Sequence, residues 1–271
     1  MSQSGREQLP GIDTTVPHTA RVWNYWLGGK DNYPVDREAG DHIAATMPGI
    51  VDTARAVRRF LDRGVRYLVS EMGVRQLLDI GTGLPTVNNT HQVAQATAPE
   101  CRIVYVDNDP LVLAHARALL TSTPEGVTPY LNADLRDPGK IVREAARTLD
   151  FSQPIALMLL GILNHIMDTA ESYKIVNRLL DALPAGSYLM MSHFTALLDT
   201  DLVEKGMQIF NDSGGRPPVR GRSRQELLRY FDGLELLEPG LVSVSLWRPD
   251  PRDIGTSPVE VYEFCGIARK P

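Results

Sequence analysis

Three carboxylates and a glycine turn stand in this sequence where ligand chemistry is commonly done. Leu77-Leu78-Asp79-Ile80-Gly81-Thr82-Gly83 passes from an apolar, strand-like run straight into a turn. Glycines there let the backbone approach a ligand and present N–H donors to it. Asp107 comes 28 residues after Asp79 and closes the run Ile103-Val104-Tyr105-Val106, with Asn108 beside it. At a strand end its carboxylate can accept from both hydroxyls of a ribose, which suits NAD as well as S-adenosylmethionine. Asp79 and Asp134, the latter in Asn132-Ala133-Asp134-Leu135, separate the two. A dinucleotide would place a pyrophosphate at this turn, where carboxylates repel it. S-adenosylmethionine instead brings a sulfonium, an α-ammonium and an adenine N6 donor, all of which want acceptors. The third glycine of a dinucleotide fingerprint is missing around Pro85-Thr86. A lone G-x-G also fits a plain strand-to-helix turn, and each acid alone could be a cap or turn residue, as Asp137 before Pro138 is read to be.

The elements that must position these residues follow from periodicity. Short β-branched runs at Gln76–Ile80, Arg102–Val106, Thr128–Leu131, Pro154–Leu159, Ser187–His193 and Val259–Ala268 read as strands. Between them Asn88–Thr97, Pro110–Thr121, Gly139–Leu149 and Glu171–Leu183 repeat apolar residues at three- and four-residue steps, as helices do. This alternation predicts an α/β fold with right-handed crossovers and a doubly wound sheet. Before Gln76 there are only helical patterns, at Thr19–Leu27, Pro34–Thr46 and Thr53–Met72, with Gly28-Gly29 stopping the first and Pro34 starting the second. The expected organisation is a helical cap over 1–73 lying across the ligand crevice, and a nucleotide-binding unit over 74–271. Helices at Asp199–Asn211 and Arg224–Phe231 form an insertion at about 199–231.

With these motifs in order, the chain resembles class I methyltransferases. Over nearly its full length it is similar to an actinomycete family of S-adenosyl methyltransferases formerly catalogued as a domain of unknown function. The resemblance rests on Ala20-Arg21-Val22-Trp23-Asn24-Tyr25-Trp26-Leu27-Gly28-Gly29-Lys30-Asp31-Asn32-Tyr33, Leu78–Thr86, Val106-Asp107-Asn108-Asp109-Pro110, Ala133-Asp134-Leu135-Arg136-Asp137-Pro138 and Leu183-Pro184-Ala185-Gly186-Ser187-Tyr188. It implies a Rossmann-like, doubly wound, seven-stranded sheet with one antiparallel strand, for which Val259–Ala268 is the candidate. It implies S-adenosyl-L-methionine as cofactor, held at Asp79, Gly81, Thr82, Gly83, Asp107, Asn108, Asp134 and Leu135.

The stretch after the fourth strand, Gly161-Ile162-Leu163-Asn164-His165-Ile166-Met167-Asp168, is similar to the segment that carries a catalytic histidine in small-molecule O-methyltransferases, displaced by one position. His165 is thus the candidate base for a hydroxyl, and a locally satisfied histidine at a helix start is the alternative. No Asn-Pro-Pro-Tyr run follows this strand. In the cap, Arg21, Tyr25 and Lys30 gather near the Gly28-Gly29 break and are candidates for the methionyl carboxylate, or else solvated charges at a helix end. Trp23 and Trp26 read as packing residues. Arg216, Arg220, Arg222 and Arg224 lie within nine residues, which suits an acidic or phosphorylated substrate group or a solvated loop.

Composition narrows the function. Lys plus Arg total 28 against 33 Asp plus Glu, a net charge of −5, so no basic field is available for nucleic acid. Cys101 and Cys265 lie far apart without metal spacing, and the other histidines form no ligand pattern, so no metal is expected. The polar start and the lack of a long apolar run predict neither a signal nor a membrane span, hence a cytoplasmic protein. The function expected is methyl transfer to a small molecule, with O-methylation favoured. The alternatives are an S-adenosylmethionine-binding protein without turnover, and an NAD-dependent oxidoreductase.

Overall fold

The computed structural model describes residues 12–86, 88–119, 121–250 and 259–271. The chain start and Leu120, at the end of the expected helix Pro110–Thr121, lie outside the described residues. Three helices come first: α1 (Thr19–Trp26), α2 (Pro34–Thr46) and α3 (Ile50–Ser70). Then β1 (Gln76–Ile80), α4 (Thr90–Thr97), β2 (Arg102–Asp107), α5 (Pro110–Leu119), β3 (Tyr130–Asn132), α6 (Pro138–Ala145), β4 (Ala156–Leu160), α7 (Thr169–Asp181) and β5 (Tyr188–Phe194) alternate as expected. After these follow α8 (Thr200–Asp212), α9 (Arg224–Leu228), β6 (Glu235–Leu236), β7 (Val242–Ser243) and β8 (Glu263–Arg269).

β1 to β5 are parallel in the order β3-β2-β1-β4-β5, and β8 runs antiparallel beside β5. Among the described residues the sheet has eight strands where seven were expected, because the place beyond β8 is filled by two separate two-residue pieces, β6 and β7. The antiparallel strand is shorter than expected. Val261 donates its N–H to Ser243 Oγ, and the Val259 carbonyl accepts from Ser245 Oγ, so serine side chains satisfy the backbone before Glu263 instead of a ladder. β3 starts late for a related reason: Pro129 accepts from the Tyr105 N–H but has none to donate in return.

The strands bury both faces. Leu78, Val104 and Leu157 pack under α6 and α7 through Ile141, Ile175 and Leu179. Leu77, Ile103, Tyr105 and Met158 pack under α3 and α4 through Phe60, Leu68 and Val93. α3, expected as part of the cap, is therefore a layer of the sheet. It presents Val57, Phe60, Leu61, Val65 and Leu68 at helical spacing to that face. α1 and α2 instead pack on the late helix α8, with Val22, Trp26, Met47, Val203 and Phe210 sharing one cluster with Phe194 at the end of β5. The crevice they overhang lies at the carboxyl ends of β1, β2 and β4, where ligands of doubly wound sheets bind.

Candidate cofactor and acceptor cleft

The turn after β1 owes its shape to two glycines. Gly81 has φ +79°, and a Cβ there would lie 2.5 Å from the Ile162 side chain, so any other residue would meet both strain and a clash. Gly83 has open space where a Cβ would stand, and its N–H donates to Asp107 Oδ2 at 2.9 Å. Asp107 Oδ1 accepts the Asp109 N–H at 3.0 Å. Burial nevertheless pushes the Asp107 carboxyl up to about 6.

Asp79 is buried at the end of β1, and its Oδ2 accepts the Thr90 hydroxyl at 2.6 Å. Burial pushes it too up to about 6, with Thr90 and the nearby Arg58 of α3 pulling the other way. Asp79, Asp107 and Arg58 line one cleft with Gly81, Thr82, Gly83, Asn108, Gly161, Asn164, His165 and Glu263, roofed by His18, Trp23, Asn24 and Leu27 of the α1 region. The remaining predicted residues are placed elsewhere. Asp134 sits at the rim, with its Oδ2 accepting from Asn108 Nδ2 at 3.2 Å, and Leu135 is packed in the core.

The three cap candidates do not line this cleft. Arg21 is buried, with its Nε paired to Asp36 at 2.9 Å and its other nitrogens donating to the carbonyls of Asp13 and Val16. Tyr25 donates to Asp41 at 2.7 Å, and Lys30 is exposed on the following loop. The arginine-rich loop is likewise occupied. Arg222 is buried and donates to the Leu163 and Ile166 carbonyls and to His193 Nε2, while Arg220 donates to Met167 and Arg224 to Leu241. With Nε2 accepting, the His193 Nδ1–H donates to the Phe194 carbonyl at 2.7 Å.

His165 ends the short 3₁₀ turn Ile162–His165 after β4. Its Nδ1 lies 3.1 Å from the Pro218 carbonyl, which can only accept, so Nδ1 carries the proton and Nε2 is left as an acceptor. Burial holds the imidazole down at about 4. Asn164, one place earlier, fixes the strand end by accepting the Phe194 N–H at 3.1 Å. Among the described residues, no three His, Cys, Asp or Glu side chains converge as a metal site requires.

Whether the cleft fits a cationic nucleoside is answered by the residues themselves. Buried Asp79 and half-buried Asp107 flank a turn with open space above Gly83, and a third acid, Glu263, has a buried Oε2 without a partner. A phosphate would find repulsion here, and a sulfonium ligand finds acceptors. The sequence profile of the S-adenosyl methyltransferase family matches residues 5–271. The chain belongs to this family.

Proteins of similar fold are known in crystals. A DUF574 family protein from Streptomyces avermitilis MA-4680 is 44% identical, with a TM-score of 0.90 over 96% of this chain and 99% of that one. A protein from Thermobifida fusca YX assigned to the methyltransferases is 41% identical, with a TM-score of 0.85 over 96% of this chain and 97% of that one. The plantazolicin methyltransferase BpumL, solved with S-adenosylhomocysteine, shares the fold at 10% identity, with a TM-score of 0.54 over 93% of this chain and 95% of that one. Among curated proteins no sequence matches. This methyltransferase therefore uses S-adenosylmethionine, and the oxidoreductase alternative falls with the family assignment.

Several cleft residues escaped the sequence reading. Arg58 is one of many charges on α3, and nothing local distinguishes it from the adjacent, exposed Arg59. Thr90, which does not line the cleft itself but donates to Asp79, could have been noticed only as a hydroxyl in the first turn after the glycine motif. Trp23, read as packing, does pack on Trp26 and Phe194 at 6.0 Å, yet it also walls the cleft. Glu263 stood inside the expected strand Val259–Ala268 with a second acid, Glu260, three residues before it, and nothing local set it apart.

Proposed function

We propose that the protein transfers the methyl group of S-adenosylmethionine to a hydroxyl of a small molecule, seated where the cleft passes from the glycine turn to the wall of Trp23, Phe194 and Val219. The observation that carries this reading is His165 Nε2, an acceptor that borders the same cleft as the cofactor residues and is held in one tautomer by Pro218. When bound, the cofactor supplies an electrophilic methyl group. The protein aligns the partners, excludes water and receives a proton.

In this reading Asp107 accepts from the ribose hydroxyls through the lone pairs left by Gly83 and Asp109. Asp79 faces the α-ammonium, Asn108 and Asp134 lie toward the adenine, and Arg58 takes the carboxylate role expected of Arg21, Tyr25 and Lys30. The segment around α1 and α2, supported by α8, is the lid that closes on the acceptor, and its indole and phenyl walls suit an apolar body. We place the protein in the cytoplasm, where its two buried cysteines remain thiols.

The test is methyl transfer from S-[methyl-³H]adenosylmethionine to fractionated small-molecule extracts, with the labelled product identified by mass spectrometry. A labelled O-methyl product below 1 kDa is expected. Label found only on nitrogen, on protein or on nucleic acid would overturn the reading.

A further inference from the structure

Glu263 opens β8 where a carboxylate is costly. It is wholly buried, its Oε1 accepts the Ser192 hydroxyl at 2.5 Å, and its Oε2 lacks a partner while the residue lines the cleft. A carboxylate with a structural role alone would have both oxygens paired, because an unsatisfied buried charge is strongly destabilising.

The register says what this carboxyl group is near. Glu263 pairs with Phe194 at the end of β5, and its Oε1 lies 3.5 Å from the position a Cβ on Gly161 would take. The carboxyl group thus reaches back across β5 to the end of β4. Adjacent strands lie about 4.8 Å apart, so β4 is two steps, about 10 Å, from the ribose position at Asp107 on β2. Along the cofactor, the ribose and the α-ammonium already have acids assigned, Asp107 and Asp79. The sulfonium, one CH₂ from the ribose, is the charge left without a partner, and it is the charge that disappears when the methyl group leaves.

We propose that Glu263 is the counter-charge to this sulfonium centre, so that the site distinguishes S-adenosylmethionine from S-adenosylhomocysteine by charge. The assignment rests on the cofactor reading above. Burial pushes Glu263 up to about 7, with the Ser192 hydroxyl opposing, so a cation bound beside it pulls a proton off near neutral pH. The ionisable groups about it are Cys265 on its own strand, His193 of β5 opposite the neighbouring Phe264 with Arg222 behind it, and His18, Arg58, Asp79, Asp107 and His165 in the cleft lining. Asp79 and Asp107 also titrate near pH 6, but they face groups that both nucleosides carry, so the difference between the two ligands isolates Glu263.

The experiment is calorimetric titration of the whole protein with each nucleoside at pH 6, 7 and 8, in two buffers of different ionisation enthalpy. S-adenosylmethionine should release more protons than S-adenosylhomocysteine near pH 7, and its relative affinity should rise from pH 6 to 8. Glu263→Gln retains an acceptor for Ser192. It should abolish the extra proton release and cut the preference for S-adenosylmethionine by about tenfold or more, the worth of a charge-assisted contact. Equal losses for both ligands would assign Glu263 to a group they share, and unchanged affinities would make it structural. Either result overturns the proposal. If the variant does not fold, the wild-type difference in proton release decides alone. If neither nucleoside binds the wild type, the cofactor reading itself has failed and this assignment falls with it.

Discussion

Asp107 Oδ2 accepts the N–H of Gly83 at 2.9 Å, so the acid at the end of β2 and the glycine turn after β1 form one hydrogen-bonded unit. Each carboxylate oxygen has a second lone pair, so in the proposed reading the ribose meets an acid whose orientation the glycine turn sets. Asp107→Ala should therefore weaken S-adenosylhomocysteine at least tenfold, since a hydrogen bond to a charged group is worth about 1.5–3 kcal/mol. Calorimetry checks this, and unchanged affinity would place the ribose elsewhere.

Ligand specificity is measured more simply. S-adenosylmethionine or S-adenosylhomocysteine at about 100 times its dissociation constant should stabilise the fold by about 2.7 kcal/mol. NAD at the same concentration should leave the melting temperature in place, because its pyrophosphate meets Asp79 and Asp107.

The buried Asp79 sets a trade between stability and binding. Its folded value of about 6 lies above the ordinary carboxylate value, so above pH 6 its charge burdens the ligand-free fold. As pH falls through 6 the folded chain takes up the proton first and the burden is relieved. Asp79→Asn should thus stabilise the ligand-free protein at pH 8, on the order of 1–3 kcal/mol, with the gain vanishing near pH 4. Affinity for both nucleosides should fall. Urea unfolding at the two pH values tests the sign, and a gain that persists at pH 4 would refute it.

His165→Gln should slow methyl transfer by roughly 10²–10⁴-fold while leaving S-adenosylhomocysteine affinity intact. Burial holds the imidazole down at about 4. Its contribution should therefore stay flat from pH 8 to 5 and decline only as pH approaches 4, well below an ordinary imidazole. Matching pH–rate profiles for wild type and variant would remove His165 from the mechanism.

Arg21→Met strands Asp36 without its partner inside the cap, and breaking such a buried pair costs about 3–5 kcal/mol. Folded protein should still bind S-adenosylhomocysteine with wild-type affinity. A selective loss of affinity would restore Arg21 to the cofactor site.

The sequence by itself determined the alternation of strands and helices from β1 to β5, the glycine turn and the acids at three strand ends. Those signals are local: side-chain period, turn chemistry and an acid closing an apolar run all act within about ten residues. Tertiary structure decided which charges reach the cleft. Arg21 and Arg58 both sit on early helices, and only packing shows that Asp36 and two carbonyls occupy the first while the second lines the pocket beside Asp79. The partners of the early helices were decided the same way: α3 buries its apolar stripe on the sheet while α1 and α2 rest on α8, which is distant in sequence. Glu263 is the clearest case. It lies 184 positions after Asp79, and only the antiparallel pairing of β8 with β5 brings its carboxylate to the end of β4. Such pairing depends on which backbone edges remain unpaired once the parallel strands have assembled, and no local pattern encodes that.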